Sequence, residues 1–573
     1  MRDKEEFYQI LLGLEQGGPD AVKGLMGDFD FSRYVLRFSQ EIREADAPSL
    51  VIIRVPQSMA GFPEAMYATP LRRTALEDYL TRAVAGCLDR MRRFDASGIA
   101  KRRIFTVAPG QKILPRTAVA VDANHVEARL YVEFPMREEG LVDVGAAAEL
   151  FFQDLPRVVT ASLIYHNLPS VELDRFIRGM EDADAVRQLL PTRGWVGFAG
   201  EGSVLARQGS SDEPKQEDRS PCPIHEALRE KLDLRTGTAW TGAGIPSGLT
   251  VIVGDEESGR RELMHALAAG IYNHIPGDGR ERVVTIPDAV YIAAEPGRCL
   301  HGVNLSTFFP GGIQGHDDPS NYSSAHAEAH VAQAASLVEA IEAGARGLLL
   351  DESDSVAAFL GADAHLRRLC GGSGQDFVPL CSLARKIVDE LGISIVVAGC
   401  ASIGPFVPIA DAVLAFRDGV LCDVTQMAKE LPMAPLDAAE NPNIIQELVD
   451  QSRCLVPSSI EPGWGRSEAN ISAEEVDLLV FGDDLVDLSG LRQLAEVAQT
   501  ETIGSILRYV KTRYLVDARP IRDILDMIDR DLSSEGLDCL GRDVNGRLAR
   551  PRRYEIAAVI NRMPSVRVRR EAE

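Results

Sequence analysis

The chain has 573 residues, of which 45% are hydrophobic and 25% charged, and its formal net charge is -24. This composition is typical of a soluble globular protein with several domains, and it excludes a fibrous or wholly disordered chain. The acidic excess argues against indiscriminate binding to nucleic acid, although local basic patches can oppose it. The nine cysteines include no C-x-x-C pair, so neither a zinc site nor a disulfide framework is expected.

The first residues predict no targeting signal. The stretch MRDKEEFYQILLGLEQ spaces its charges like a helix face and lacks the continuous apolar run of a signal peptide. No run of about 18 apolar residues occurs in the sequence, so no membrane-spanning helix is expected. We therefore expect a cytoplasmic protein that does not contact a membrane.

Residues 1–206 are expected to form an α+β domain. Alternating apolar runs predict strands, and RRTALEDYLTRAVAGCLDRMRRF predicts a helix between them. Between Arg72 and Arg129 the chain carries twelve Arg or Lys against six Asp or Glu. Such an excess can neutralise nucleic-acid phosphates, although a solvated face balanced by acidic neighbours is the alternative. The candidate contacts to nucleic acid are Arg90, Arg92, Arg93, Lys101, Arg102 and Arg103.

The rest of the chain divides into a linker, a core and a C-terminal domain. Residues 207–222 are polar and charged, which predicts a linker or mobile loop. In residues 223–432, short apolar runs such as GLTVIVG, ARGLLLDE and GISIVVAG alternate with helical stretches, which predicts the buried parallel strands of an α/β core. Residues 433–573 become irregular and then helical, so we expect a mostly helical C-terminal domain.

One loop in the core has the spacing of a phosphate-binding loop. In VIVGDEESGRREL, Gly254 and Gly259 stand as in G-x-x-x-x-G-K-[ST] between a strand and a helix. In that motif the glycines let backbone N–H groups face phosphates, and the Lys and the hydroxyl serve the terminal phosphates and Mg²⁺. Here Arg260 replaces the Lys and Arg261 replaces the hydroxyl. By itself the pattern also fits an ordinary strand-to-helix turn.

A second motif follows further along the core. The strand LLLDE ends in the adjacent carboxylates of Asp351 and Glu352. In a nucleotide hydrolase the Asp orders Mg²⁺ and the Glu polarises the attacking water, so Asp351 is the candidate metal ligand and Glu352 the candidate catalytic residue. A strand whose acidic end caps the next turn is the alternative. The two motifs occur in the order that an ATP-binding-cassette core requires, which favours descent from a P-loop enzyme.

Longer stretches extend the resemblance along nearly the whole chain. They are APGQKILPRT, GIPSGLTVIVG, GIYNHIPGDGRERVVT, EAIEAGARGLLLDE and EIAAVINR, of which YNHIPGDGRE is the most specific. On these residues the sequence resembles the family of predicted ATPases of the ABC class. The resemblance implies an ABC-type P-loop nucleotide-binding core between family-specific N- and C-terminal domains, ATP and Mg²⁺ as cofactors, and a homodimer that encloses ATP between its subunits.

The sequence departs from the family pattern in its functional motifs. Members carry an intact G-K-[ST] where this chain has Arg260 and Arg261. They also carry a Ser-Gly signature that caps the γ-phosphate of the partner's nucleotide, and the corresponding residues 327–342, AEAHVAQAASLVEAIE, have lost it. The run after Glu352, SDSVAAFL, resembles the family pattern only loosely. Asp351 and Glu352 themselves match it.

The charges of the loop oppose a polyanion. Four carboxylates accompany the two arginines, and a carboxylate about 5 Å from a phosphate charge costs roughly 3 kcal/mol at an effective dielectric near 20. Arg260 can still pair bidentately with a phosphate, but its planar fork fills the loop differently from a Lys ammonium, and Arg261 brings a cation to the place of Mg²⁺. The carboxylates are Asp255, Glu256, Glu257 and Glu262.

Three aromatic side chains complete the candidates. Trp240 lies upstream of the loop, where an aromatic ring stacks on adenine in ABC proteins, and plain core packing is the alternative. His326 and His330 have i, i+4 spacing, for which a helix face that exposes two histidines is favoured over a metal site.

We expect a pseudo-ATPase with weak nucleotide binding and little hydrolysis, which acts as a binding or regulatory scaffold. Two alternatives remain. One is an active Mg²⁺-dependent ATPase in which Arg260 holds phosphates. The other is a protein that binds RNA or single-stranded nucleic acid through basic flanking domains.

Overall fold

The structure is a computed structural model. It describes residues 1–14, 24–38, 48–91, 93–94, 100–101, 103–137, 142–209, 211–215, 221–313, 318–361, 377–432, 444–463 and 470–570. The chain forms two compact units, one from Met1–Glu181 and Ser534–Arg550 and the other from Asp182–Ser533 and Pro551–Glu573.

The first unit mixes strands and helices. Its helices are α1 (Lys4–Gly13), α2 (Gln57–Ala60), α3 (Pro70–Arg90), α4 (Val144–Glu149), α5 (Leu155–Ser162) and α6 (Ser170–Arg193), the last of which continues into the second unit. Its strands are β1 (Arg2–Asp3), β2 (Gly27–Asp30), β3 (Val35–Phe38), β4 (Ser49–Pro56), β5 (Arg93–Phe94), β6 (Ala100–Lys101), β7 (Ile104–Phe105), β8 (Lys112–Ile113), β9 (Val119–Val121) and β10 (His125–Val132).

Seven of these strands form one sheet in the order β1-β2-β3-β4-β10-β7, with β9 also paired to β10. The sheet is antiparallel apart from the β1-β2 pair, and its longest pairing joins β4 to β10. Phe7 of α1 packs edge-on against Phe29 and Phe151, with ring centroids 4.8 and 5.1 Å apart, so α1 closes the core at this end. The predicted α+β character of this region is confirmed.

The second unit contains the predicted α/β core. Its helices are α7 (Arg260–Ala269), α8 (Ala329–Glu342), α9 (Ala357–Leu360), α10 (Leu380–Leu391), α11 (Thr425–Glu430), α12 (Ile444–Val449), α13 (Val497–Arg513), α14 (Ile521–Ser534) and α15 (Arg553–Arg562). Its strands are β11 (Trp195–Gly200), β12 (Glu230–Asp233), β13 (Ala239–Pro246), β14 (Leu249–Val253), β15 (Asn273–His274), β16 (Val283–Thr285), β17 (Ala289–Tyr291), β18 (Leu300–Val303), β19 (Tyr322–Ser324), β20 (Gly347–Asp351), β21 (Ser394–Gly399), β22 (Ala412–Arg417), β23 (Val420–Asp423), β24 (Arg453–Leu455), β25 (Ile471–Glu475), β26 (Leu478–Phe481), β27 (Asp484–Asp487), β28 (Arg519–Pro520) and β29 (Val568–Arg570).

Six strands build the central sheet in the order β17-β20-β21-β14-β22-β23. All neighbours are parallel except β22 and β23. Strands β14, β20 and β21 are almost entirely buried, which explains why their sequences are continuous apolar runs. The predicted α/β core is therefore confirmed.

Smaller sheets surround this core. An antiparallel sheet has the order β12-β13-β11-β16, and β25-β26-β27 and β28-β24-β29 form two three-stranded sheets in the C-terminal part. Helix α13 packs on β25 and β26, while α15 packs on α8 of the core. The apolar faces of these helices are thus buried against strands and helices of the same unit.

Candidate nucleotide site

The phosphate-type loop and the acidic strand end meet at one edge of the central sheet. Strand β21 lies between β14 and β20, and it pairs Gly399 with Val253 and Ala398 with Asp351. Because the three strands are parallel, their carboxyl ends meet at this edge, which is where open α/β sheets bind ligands. The two motifs predicted from the sequence are therefore brought together.

The loop from Gly254 to Gly259 is closed by a short turn. Ser258 donates to the Asp255 carbonyl from both its backbone N–H, at 3.2 Å, and its hydroxyl, at 2.6 Å. Gly259 has φ +96°, a left-handed conformation that favours glycine, and it precedes the first residue of α7. A Cβ on Gly254 would lie 2.5 Å from the Ser258 hydroxyl. Both glycines are thus required by the turn itself.

Three of the four carboxylates at the loop are exposed. Asp255, Glu256 and Glu257 are exposed, whereas Glu262 is half-buried on α7. Water screens exposed charges strongly, so their repulsion of a bound phosphate is smaller than a fixed short distance suggests. The charged side chain of this region that water screens least is the buried one that follows Gly259.

That side chain is Arg260, and it contacts the acidic strand end. Its Nη1 donates to Asp351 Oδ2 at 2.6 Å, and its Nη2 donates to the Ser353 hydroxyl at 3.2 Å. The two charged side chains are 1% and 0% exposed. The sequence predicted that Arg260 would serve phosphates and Asp351 would serve Mg²⁺. In the structure they bind each other.

Glu352 is bound by the segment that follows β21. Its Oε2 accepts from the N–H groups of Cys400 and Ala401 at 2.6 and 3.0 Å. Its Oε1 accepts from the Ser402 N–H at 2.6 Å and the Ser402 hydroxyl at 2.7 Å. Burial raises the pKa of Glu352, but these hydrogen bonds outweigh burial and hold the pKa below its usual value.

The Gly399 backbone explains how Glu352 comes so close. A Cβ at this position would lie 2.3 Å from Glu352 Oε2 and 2.8 Å from its Cβ. Any other residue would therefore displace the Glu352 side chain or the strand end. The candidate catalytic carboxylate occupies a cradle that requires a glycine.

Arg261 joins a group around Asp354 that the sequence reasoning missed. Tyr291 donates to Asp354 at 2.8 Å, while Arg261 and Arg492 approach the same carboxylate at 3.5 and 3.4 Å. His265 lies 3.5 Å away. Burial raises the pKa of Asp354, but the surrounding donors and cations hold it far below its usual value. Arg261 and His265 share one face of α7 at i, i+4 spacing, but no spacing rule links them to Tyr291, Asp354 or Arg492, which lie far away in the sequence.

Helix α8, which carries the altered signature segment, is tied to the segment after Glu352. Gln333 donates to the Ser355 hydroxyl at 2.9 Å and accepts from the Val356 N–H at 2.9 Å. Gln333 is fully buried. A buried glutamine that bonds to the next segment stabilises the fold and does not reach toward a ligand.

A cavity of about 1260 Å³ lies beside this segment in the second unit. Three arginines line it, and each is paired with a carboxylate: Arg298 with Glu339, Arg492 with Asp354 and Arg562 with Glu295. The cationic side chains of the cavity are therefore neutralised within the same unit.

The aromatic candidates are placed as follows. Trp240 is 5% exposed in a core cluster with Phe198 and Leu232, so adenine stacking would require the ring to leave that cluster. The expectation that His326 and His330 share a helix face is wrong, because α8 begins at Ala329 and His326 precedes it. Within the described residues, no group of three or more His, Cys, Asp or Glu side chains is arranged to hold a metal ion.

Two of the six basic candidates of the first unit lie on a two-stranded ribbon. Strands β5 and β6 pair antiparallel, with Arg93 opposite Lys101. Arg90 is exposed at the end of α3, and Arg103 donates to the Ala146 carbonyl at 3.3 Å. Arg92 and Arg102 lie outside the described residues. The ribbon thus places two basic residues of the predicted patch side by side.

Comparison with known families identifies the chain. A sequence model of the N-terminal region of ATPases of the ABC class matches residues 4–166, and the ABC_ATPase model, a P-loop domain, matches residues 169–449. The chain belongs to the family of ATPases of the ABC class. A model of the MRB1590 C-terminal domain matches residues 470–569 of this family member. No curated protein matches the chain as a relative.

A P-loop domain in this ATPase family is typical of nucleotide binding, usually with Mg²⁺. No helix in the described residues has both the length and the apolar composition needed to cross a bilayer.

Proposed function

We propose that this protein is a cytoplasmic pseudo-ATPase: it binds nucleotide weakly, hydrolyses it little, and acts as a binding or regulatory scaffold. The observation that carries the proposal is the state of Glu352. A carboxylate that orients the attacking water needs a free oxygen lone pair that accepts a hydrogen bond from that water. Both oxygens of Glu352 instead accept two hydrogen bonds each from residues 400–402.

The basicity of Glu352 supports the same conclusion. A general base works best when its pKa lies near the operating pH. Hydrogen bonding to the charged form holds the pKa of Glu352 below its usual value, so the carboxylate is a weak base. The missing P-loop Lys and hydroxyl add to this, because phosphoryl transfer depends almost entirely on positioning and charge stabilisation.

Residual nucleotide binding is proposed to use the backbone of the loop. The N-terminus of α7 follows Gly259 and carries the partial positive charge of a helix start. Arg261 stands in the first turn of this helix with 44% of its side chain exposed. A phosphate at this end would meet N–H donors and a half-exposed guanidinium.

Phosphate release in the presence of Mg²⁺ tests the proposal. The unmodified protein and Glu352→Gln should both release phosphate at the rate of a no-protein blank. Glu256→Gln is the matched control, since it removes an exposed carboxylate of the Gly254–Gly259 loop. Robust release that Glu352→Gln abolishes and Glu256→Gln leaves unchanged would establish the rival function, an active ATPase with an arginine-containing P-loop.

Self-association is part of the proposal, because an ABC-type site is completed across two subunits. The match to the P-loop domain over residues 169–449 supports a homodimer through the core. Light scattering should give twice the 62.3 kDa mass of one chain. A single-chain mass at every protein and nucleotide concentration would contradict the homodimer.

Nucleic-acid binding is a second candidate function, favoured by the pairing of Arg93 with Lys101 on the β5-β6 ribbon. Cross-strand cations on a short ribbon can bind two phosphates of a single strand, and such binding weakens steeply with salt. Single-stranded RNA and DNA should bind at low salt, and Arg93→Ser with Lys101→Ser should weaken both. The paired variant Arg193→Ser with Lys231→Ser changes two exposed cations elsewhere and serves as the control.

A further inference from the structure

The place where a P-loop enzyme holds Mg²⁺ is filled by side chains of this chain. In P-loop enzymes the metal is held by the loop hydroxyl and the acidic residue at the strand end. The hydroxyl position is occupied by Arg261, whose guanidinium approaches Asp354. The acidic residue is Asp351, which is fully buried against Arg260. The residues present therefore do not fit a magnesium ion.

Both oxygens of Asp351 are already used. Oδ2 accepts from Arg260 Nη1 at 2.6 Å, and Oδ1 accepts from the Ser353 N–H at 2.8 Å. The Ser353 hydroxyl accepts from Arg260 Nη2. A divalent cation at Asp351 would lie beside a buried guanidinium that carries the same sign of charge.

Arg260 retains one donor. Its Nε is buried, and no hydrogen-bond partner is found for it among the described residues. A buried N–H without a partner is costly, so a ligand oxygen that reaches it gains a favourable contact. The guanidinium thus neutralises Asp351 through Nη1, and its Nε–H is left to donate to another group.

We propose that this site recognises the polyphosphate of a nucleotide without a divalent cation, with Arg260 as the resident counter-charge. This inference rests on the proposed nucleotide binding and names the form of the ligand. Arg260 performs the neutralisation of Asp351 that Mg²⁺ performs elsewhere. The half-exposed Arg261 is left to meet phosphate charge.

The experiment compares ATP binding in EDTA with ATP binding in excess Mg²⁺, by isothermal titration calorimetry. The unmodified protein should bind metal-free ATP at least as tightly as MgATP. Mg²⁺ alone should not raise its unfolding temperature. Phosphate release is measured on the same samples, because that assay tests the proposed lack of hydrolysis separately.

Variants of the pair sharpen the test. Arg260→Met frees Asp351, so Mg²⁺ alone should raise the unfolding temperature of this variant and should tighten its ATP binding several-fold. Arg260→Met with Asp351→Asn removes both charges and should respond to Mg²⁺ no more than the unmodified protein. The double variant also keeps the test usable if the single variant does not fold, because it leaves no buried charge without a partner.

The outcomes separate the two proposals. Tenfold tighter ATP binding with Mg²⁺ than with EDTA in the unmodified protein would overturn metal-free recognition, even if no phosphate is released. Absence of ATP binding in both conditions would overturn it as well. Phosphate release together with equal binding in EDTA and Mg²⁺ would overturn the pseudo-ATPase proposal and leave metal-free recognition standing.

Discussion

Buried arginines of the second unit differ in how many of their guanidinium nitrogens make hydrogen bonds. Arg453 donates from Nε and Nη2 to Glu342, and from Nη1 to the His301 carbonyl and the Asn561 side chain at 3.0 Å. Arg562 likewise bonds through Nε, Nη1 and Nη2. Arg260 at the nucleotide edge bonds through two nitrogens and leaves Nε without a partner.

The difference teaches how the same residue type can serve different purposes. Arg453 and Arg562 join α8 to β24, to α15 and to the segment after β17, and every nitrogen of their guanidinium groups makes a hydrogen bond. A buried ion pair with complete hydrogen bonding holds elements of the fold together, because removing one partner leaves a buried charge. Arg260 begins α7 at the edge of the central sheet and is bonded less completely. A ligand oxygen that reached its Nε would therefore change its pairing.

The largest effect is expected from Arg453→Met. This change leaves the buried Glu342 without its guanidinium and should lower the free energy of unfolding by about 3–5 kcal/mol. Urea denaturation followed by tryptophan fluorescence measures it. Lys231→Met, which breaks an exposed pair with Asp233, should stay within about 0.5 kcal/mol. Equal losses in the free energy of unfolding for the two variants would contradict a structural role for Arg453.

A smaller loss in the free energy of unfolding is expected from Arg260→Met, about 3 kcal/mol, at the low end of the range for broken buried pairs. Asp351 keeps the hydrogen bond from the Ser353 N–H, so it is better compensated than Glu342. The same urea denaturation measures it. If Arg260→Met lowered the free energy of unfolding more than Arg453→Met, the number of hydrogen-bonded guanidinium nitrogens would not determine how much these pairs stabilise the fold.

Glu352→Gln should lower the free energy of unfolding by about 1–3 kcal/mol. The side-chain amide would direct its own N–H groups toward backbone N–H groups, from which the carboxylate oxygens now accept hydrogen bonds. Thermal unfolding at neutral pH measures the loss, with Glu256→Gln as the exposed control. An unchanged unfolding temperature would show that Glu352 is free to act elsewhere.

The pH dependence of the same variant gives a further test. Because the folded-state pKa of Glu352 is lowered, its stabilisation is present above the unfolded pKa of about 4.3 and is lost as pH falls through the lower folded-state value. Stability below about pH 4.5 should therefore fall less steeply in Glu352→Gln than in the unmodified protein. Parallel acid titrations of the two proteins would show the difference, and identical slopes would count against the hydrogen-bonded carboxylate.

The smallest effect is expected from Arg261→Ser. Arg261 is half-exposed and 3.5 Å from Asp354, which retains the Tyr291 hydroxyl at 2.8 Å. The loss of stability should be below about 1 kcal/mol, as for other exposed pairs. Urea denaturation measures it beside Arg260→Met. A loss as large as that of Arg260→Met would show that exposure does not distinguish the two neighbouring arginines.

Several features of the site could be predicted from the sequence. The apolar runs predict β14, β20 and β21, because strands buried on both faces need continuous apolar residues. The spacing of Gly254 and Gly259 predicts a turn into a helix, and φ of Gly259 is positive as that turn requires. The family membership also follows from contiguous motifs, since local patterns carry it.

The tertiary structure alone decided what the charged residues contact. Arg260 meets Asp351 because β21 places the ends of β14 and β20 within side-chain reach, and no spacing in the sequence states that strand order. Glu352 finds its donors at residues 400–402 for the same reason. A sequence determines which groups are charged and which segments are buried, but the direction of a long side chain depends on neighbours that only the folded sheet brings near.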